Sequence, residues 1–187
     1  MNELDIPVIT IDGPSGAGKG TIAQMLALEL DWNILDSGAL YRTLAYFMSE
    51  NAINLDNFEE NKDLLKERFK VSFDPGTPGE PVRVLFENND ITSIVRTEEI
   101  AKLTSNLAAE PIIREFIKPC QRDFMTAPGL IADGRDMGTV IFSDAEHKIF
   151  LTASVEERAK RRQTQLKRQG LEVNMRSLLQ ELEERDR

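Results

Sequence analysis

The chain has 187 residues, 41% of them hydrophobic and 29% charged, a balance that fits one folded domain and excludes a disordered or low-complexity protein. Its 32 acidic against 23 basic residues leave a net charge of −9, which excludes general binding to a nucleic-acid backbone without a strong local basic patch. No apolar run approaches the roughly 20 residues of a membrane helix. The start, MNELDIPVIT, has acids where an export signal has Lys or Arg, and the single cysteine, Cys120, cannot close an internal disulfide. A cytoplasmic location is expected.

Residues 7–12 (PVITID) form a short apolar run rich in β-branched side chains, the pattern of a buried parallel strand. In residues 19–30 the apolar positions Ile22, Met25, Leu26 and Leu30 recur at helical spacing. A second strand is predicted over residues 33–36, a helix over about 38–49, and an amphipathic helix over 57–69 with Phe58, Leu64, Leu65 and Phe69 on its inner face. Residues 71–73 and 82–86, separated by DPGTPGEP and followed by an Asn88-Asn89 turn, read as a small antiparallel hairpin. Helices resume near Thr97 and at Pro111, with Pro119 expected to kink the second. Residues 130–133 (LIAD) and 148–151 (KIFL) read as two more buried strands. Ser154 and Glu157 match a capping box for a helix ending near Gly170, and residues 174–187 are again helical and heavily charged.

Strands alternating with helices imply right-handed crossovers and a parallel sheet. The expected fold is α/β, a doubly wound parallel sheet with helices on both faces, a lid and a small antiparallel β insert over about residues 71–91. The expected division is a core of about 1–36 and 127–155, an acceptor-binding part with the insert over about 37–126, and a lid from about 156.

The sharpest motif is GPSGAGKGT, in order Gly13, Pro14, Ser15, Gly16, Ala17, Gly18, Lys19, Gly20 and Thr21, set between a strand and a helix. Such a loop cradles phosphates with backbone N–H groups, helped by the positive end of the following helix. Lys19 can then reach the β- and γ-phosphates of a nucleoside triphosphate, ATP being expected. Gly20 stands where the general pattern has Ser or Thr, so a hydroxyl ligand for Mg²⁺ is not assured, although Thr21 is adjacent. This GKGT version is characteristic of nucleoside monophosphate kinases.

Two further segments point to a second substrate. DSGALYR puts Ser37 at a helix start, as a candidate cap, with Arg42 in the same helix, a combination suited to a second phosphate. LIADGRDMG opens a strand into Asp133, Arg135 and Asp136 at the carboxyl end, where α/β sheets bind ligands. Asp133 is placed to hold Mg²⁺ or its waters, and Arg135 and Asp136 to face the acceptor. Arg158, Arg161 and Arg162 begin a helix leading toward the lid, with Arg158 and Arg162 four apart on one face. Lys19, Arg135, Arg158 and Arg162 are the expected catalytic cations.

GPSGAGKGT, DSGALYR, RTEEIAKLTSNLAAEPIIRE and GLIADGRDMGTVIF together resemble bacterial cytidylate kinases, and the likeness runs from Pro7 to the last residue. The resemblance implies transfer of the γ-phosphoryl group of ATP to CMP or dCMP, with Mg²⁺. It implies that Ser37, Arg42 and Arg135 hold the acceptor phosphate, that Ser105, Arg114 and Asp136 read cytosine, and that Arg185 reaches the acceptor's phosphate or sugar. It implies a fifth strand and further nucleotide contacts beyond Arg187, so a C-terminal segment is expected to be missing. A monomer is expected, with no nucleic acid or membrane partner. His147 and Cys120 are expected to be bystanders, and Trp32 to pack between the first helix and the second strand.

Rival readings are weaker. Another small-molecule kinase, for AMP, shikimate or gluconate, would share the phosphate loop. A GTPase-like switch needs Asn-Lys-x-Asp after a strand, and the nearest string, Asn61-Lys62-Asp63-Leu64, has the wrong spacing inside a predicted helix.

Overall fold

The computed structural model describes residues 6–168 and 174–186. Its centre is a four-stranded parallel sheet of β1 (Val8–Asp12), β2 (Asn33–Asp36), β6 (Leu130–Gly134) and β7 (His147–Phe150), in the order β2-β6-β1-β7. The four strands are those expected from the apolar runs. β6 is buried along its whole length, as a strand covered on both faces must be. β7 departs from expectation: among the described residues it pairs with β1 alone, and it is exposed throughout, with Phe150 69% accessible. An apolar run shows that a strand forms but not how many neighbours it has.

Helices pack on both faces. On one, α1 (Lys19–Leu30) lays Ala23 and Ala27 against Ile11, Ile34 and Ile131. The larger Ile22, Met25 and Leu30 remain substantially exposed, because small residues bring this helix close to the sheet. On the other face, α2 (Ser37–Glu50) and α6 (Pro111–Arg122) close the main core through Leu40, Leu44, Phe47, Ile113, Phe116 and Ile117. α6 continues through Pro119 to Arg122 as one helix. Trp32 packs against the α1 cluster and over Gly129, where an added Cβ would lie 2.4 Å from the indole.

The helix expected over residues 57–69 is shorter, α3 (Lys62–Arg68). Asn54 Oδ1 accepts from the N–H groups of Asp56 and Asn57, and Asn57 Oδ1 accepts from that of Asn54. Residues 57–61 form turns, in which the Asn57 carbonyl accepts from both the Asn61 N–H and Asn61 Nδ2, and continuous helix starts only at Lys62.

The β insert comprises β3 (Val71–Asp74), β4 (Arg83–Phe86) and a two-residue β5 (Asn89–Asp90), one strand more than expected. Phe86 pairs with Asn89, so the turn centres on Glu87 and Asn88 at φ 48° and 64°, the left-handed pair that matches strand twist in a tight hairpin. α4 (Thr92–Val95) precedes α5 (Glu98–Ala108), which Thr97 caps through the Ile100 N–H. After β6 comes a single π-helical turn, Met137–Ile141. α7 (Val155–Arg168) and α8 (Met175–Asp186) pack together through Ala159, Leu166, Leu178 and Leu182. Ser154 Oγ accepts from the Glu157 N–H, half of the expected capping box.

Candidate active site at the carboxyl ends of the strands

The loop from β1 to α1 turns through Gly13, Gly16 and Gly18 at φ 145°, 79° and 99°, conformations that side-chain-bearing residues rarely adopt. A Cβ on Gly13 would also sit 2.0 Å from the Leu151 carbonyl oxygen, so that position tolerates only glycine. Lys19, first in α1, donates from Nζ to the Pro14 carbonyl at 3.0 Å and lies 3.9 Å from Asp133 Oδ1. Burial pulls the Lys19 ammonium below its ordinary pKa, opposed by Asp133 and reinforced by Arg135.

Register explains the acidic floor. In the parallel pairing, Asp36 of β2 stands opposite Asp133 of β6. Asp133 is nearly buried, and its carboxyl is pushed up to about 8, first by burial and then by Asp36, against the pull of Lys19. Gly20 faces this carboxyl: an added Cβ would lie 3.4 Å from Asp133 Oδ2. The glycine that replaces the hydroxyl residue of the general phosphate-loop pattern thus sits at contact distance from the acid.

Asp12, the last residue of β1, was not singled out from sequence. Its two carboxylate oxygens accept from the Met137 and Gly138 N–H groups, each at 2.8 Å. They tie the Asp-Gly-Arg-Asp segment to the strand that carries the phosphate loop. The available signal was an acid ending an apolar run next to Gly13.

Asp36, not Ser37, is the cap of α2, with Oδ1 accepting from the Ala39 N–H at 2.9 Å. Ser37 is one residue inside the helix, buried, and accepts from Gln121 Nε2 at 2.8 Å. Arg42 donates to the Val95 carbonyl at 3.3 Å. Arg96, absent from the expected site, reaches the same corner and lies 3.7 Å from Asp36 Oδ2.

Across the crevice, Arg114 Nη2 pairs with Asp136 Oδ2 at 2.7 Å, joining two of the three residues expected to read the base. Tyr41 lies close enough to feel both charges, and burial raises its phenol above the ordinary value. Ser105 is on α5 and its hydroxyl donates to the Ala101 carbonyl one turn back. Arg135 is exposed beside the lysine.

The α7 arginines divide. Arg158 is 2% accessible and donates to the Ser15 carbonyl, while Arg161 donates to the Ala17 carbonyl at 2.9 Å. Arg162 instead pairs with Glu98 at the start of α5. Arg185 lies on α8, but its side chain is outside the described residues.

The family model described as Cytidylate kinase matches residues 9–187. The chain belongs to the cytidylate kinase family. It is 53% identical over 180 residues to cytidylate kinases of a Shewanella species and of Shewanella baltica, and 52% identical to that of Shewanella oneidensis. Each alignment covers 96% of this chain and 78% of the relative. A solved structure from Thermus thermophilus aligns at TM-score 0.42 and 19% identity, covering 94% of this chain and 78% of the other, too remote a likeness to bear on function. Family membership makes the protein an ATP-dependent phosphotransferase.

Proposed function

We propose that the protein transfers the γ-phosphoryl group of ATP to CMP or dCMP, giving ADP and CDP or dCDP, as a cytoplasmic monomer in pyrimidine nucleotide metabolism. The observation that carries this reading is the convergence of the glycine loop, Lys19, Asp133 and the Asp36-capped helix start on one crevice. One end offers N–H groups and an ammonium to a triphosphate. The other offers a helix start and arginines to a monophosphate.

The roles divide among the chain's own groups. Loop residues 13–21 bind the donor phosphates, and Lys19 spreads positive charge over the moving group. Ser37, Arg42 and Arg135 hold the acceptor phosphate in line, while Ser105, Arg114 and Asp136 present a mixed donor and acceptor surface to cytosine. Arg158 is held against the Ser15 carbonyl and shapes the donor site. Arg162, tied to Glu98, joins the lid helix to the acceptor side. The core is about 1–36 with 127–155, the acceptor part about 37–126, and the lid begins near 156.

The oxygen-rich floor suits Mg²⁺. Among the described residues no group of three or more His, Cys, Asp or Glu is placed to hold a metal by itself, whereas Mg²⁺ usually takes one or two carboxylates and completes its shell with phosphate oxygens and water. Asp133 would hold it, directly or through water. When bound, the ion neutralises charge on the donor phosphates.

An ADP-release assay with CMP, dCMP, UMP and AMP in parallel tests the reading. Release with CMP or dCMP well above that with AMP is expected, and equal or greater rates with AMP would sink it. Asp136→Ala frees Arg114 from its partner and is expected to narrow the preference for CMP over UMP by about tenfold. An unchanged ratio of kcat/KM for the two acceptors removes Asp136 from base reading. Arg162→Ala is expected to lower kcat by about tenfold or more with little change in CMP affinity. Wild-type turnover would count against the lid role.

A further inference from the structure

Gln24 is the one large polar side chain on the buried face of α1, 3% accessible among Ala23 and Ala27. A buried amide persists where its donors are satisfied. Its Nε2 donates to the carbonyls of Pro75, Thr77 and Glu80 at 2.5, 3.2 and 2.9 Å, all in the turn between β3 and β4. An amide has two hydrogens, so one of these bonds is shared. Just beyond that turn, Val82 packs into the α1 cluster with Ile11, Ala23 and Ala27. The base of the insert is therefore fixed to the helix that begins with Lys19.

The contact continues toward the acceptor. Arg96 Nη2 donates to the Val82 carbonyl at 3.1 Å and lies 3.7 Å from Asp36 Oδ2. The other oxygen of Asp36 caps α2, whose first residue is Ser37. A continuous series of side-chain and backbone contacts thus runs from the phosphate-loop helix, through the insert, to the start of the acceptor helix.

We propose that Gln24 and Arg96 are positioning residues, and that the insert is a strut holding the acceptor-phosphate end of α2 at a fixed place relative to the phosphate loop. Gln24 anchors the turn, the turn presents the Val82 carbonyl, and Arg96 bridges from that carbonyl to the capping carboxylate. This rests on reading the start of α2 as the acceptor-phosphate site.

The test separates positioning from simple stability. Gln24→Met keeps the volume and removes the donor; Arg96→Gln shortens the bridge and removes its charge at a partly exposed position. In steady-state kinetics each variant is expected to raise KM for CMP about tenfold, with kcat and KM for ATP within about threefold of wild type. The double variant should be no worse than the stronger single, as members of one series behave. A residue that only stabilises the fold lowers Tm and the active fraction but leaves KM for CMP where it was. Should Gln24→Met melt below the assay temperature, Arg96→Gln and Arg96→Lys decide the matter, with Lys expected to restore part of the lost affinity. KM for CMP within about twofold of wild type in the single variants, or single effects that multiply in the double, overturns the strut. Wild-type enzyme that fails to phosphorylate CMP overturns the function itself and the strut with it, a result distinct from an active wild type with unmoved variants.

Discussion

Replacing Lys19 by Met is expected to lower turnover with ATP and CMP by about a hundred- to a thousandfold, the usual loss when a charge aimed at a developing anion is removed. The expectation follows from where the ammonium sits. It starts the helix behind the glycine loop, is held by the Pro14 carbonyl, and faces Asp133 across 3.9 Å. Burial already disfavours its charge, so an apolar replacement of similar length relieves desolvation and the fold should survive. A near-native melting temperature would therefore assign the lost rate to the chemistry. Lys19→Arg should not restore activity, because a planar guanidinium cannot take the place of a compact ammonium packed against the loop. Turnover within about tenfold of wild type for Lys19→Met would remove the lysine from the transition state.

Asp133→Asn is expected to lower activity by about a hundredfold or more, and yet to make the metal-free protein more stable. The sign of the second effect comes from the carboxyl, raised from 3.8 to about 8 by burial and by Asp36 opposite it. Between those values the folded protein holds a proton that the unfolded chain has released, so stability falls as pH rises. The contribution is fully present below about pH 3.8 and is lost progressively as pH climbs to about 8. Asparagine does not titrate. Its stabilising effect should thus be absent near pH 4 and grow toward pH 8 when melting is followed in a chelator. A melting difference that is flat with pH, or that shrinks as pH rises, would show that the buried charge is not what Asp133 contributes.

Much of this site was legible in the sequence for local reasons. A loop needing left-handed backbone at fixed positions has to spell itself with glycines, so Gly13, Gly16, Gly18 and Lys19 announced the phosphate site. The strand ends at Asp36 and Asp133 were readable because apolar runs stop abruptly at acids. The start of α3 was misplaced because residues 57–61 form turns rather than continuous helix, and the Ser37 cap failed because an acid one residue earlier took the same N–H. Arg96, Asp12 and Gln24 were missed for another reason. Arg96 bridges residues 14 and 60 positions away, Asp12 reaches 125 and 126, and Gln24 reaches 51–56, and no local spacing encodes such pairings.

The amino-acid order alone determined the α/β class, the four parallel strands, the phosphate loop and the resemblance to cytidylate kinases, because each is written in short-range spacing of glycines, apolar residues and charges. The tertiary structure decided which acids share a floor, which arginines of α7 turn to the loop and which to Glu98, and how the insert is fastened to the first helix. Those choices depend on strand register and on long-range packing, which bring together groups that the chain itself keeps far apart.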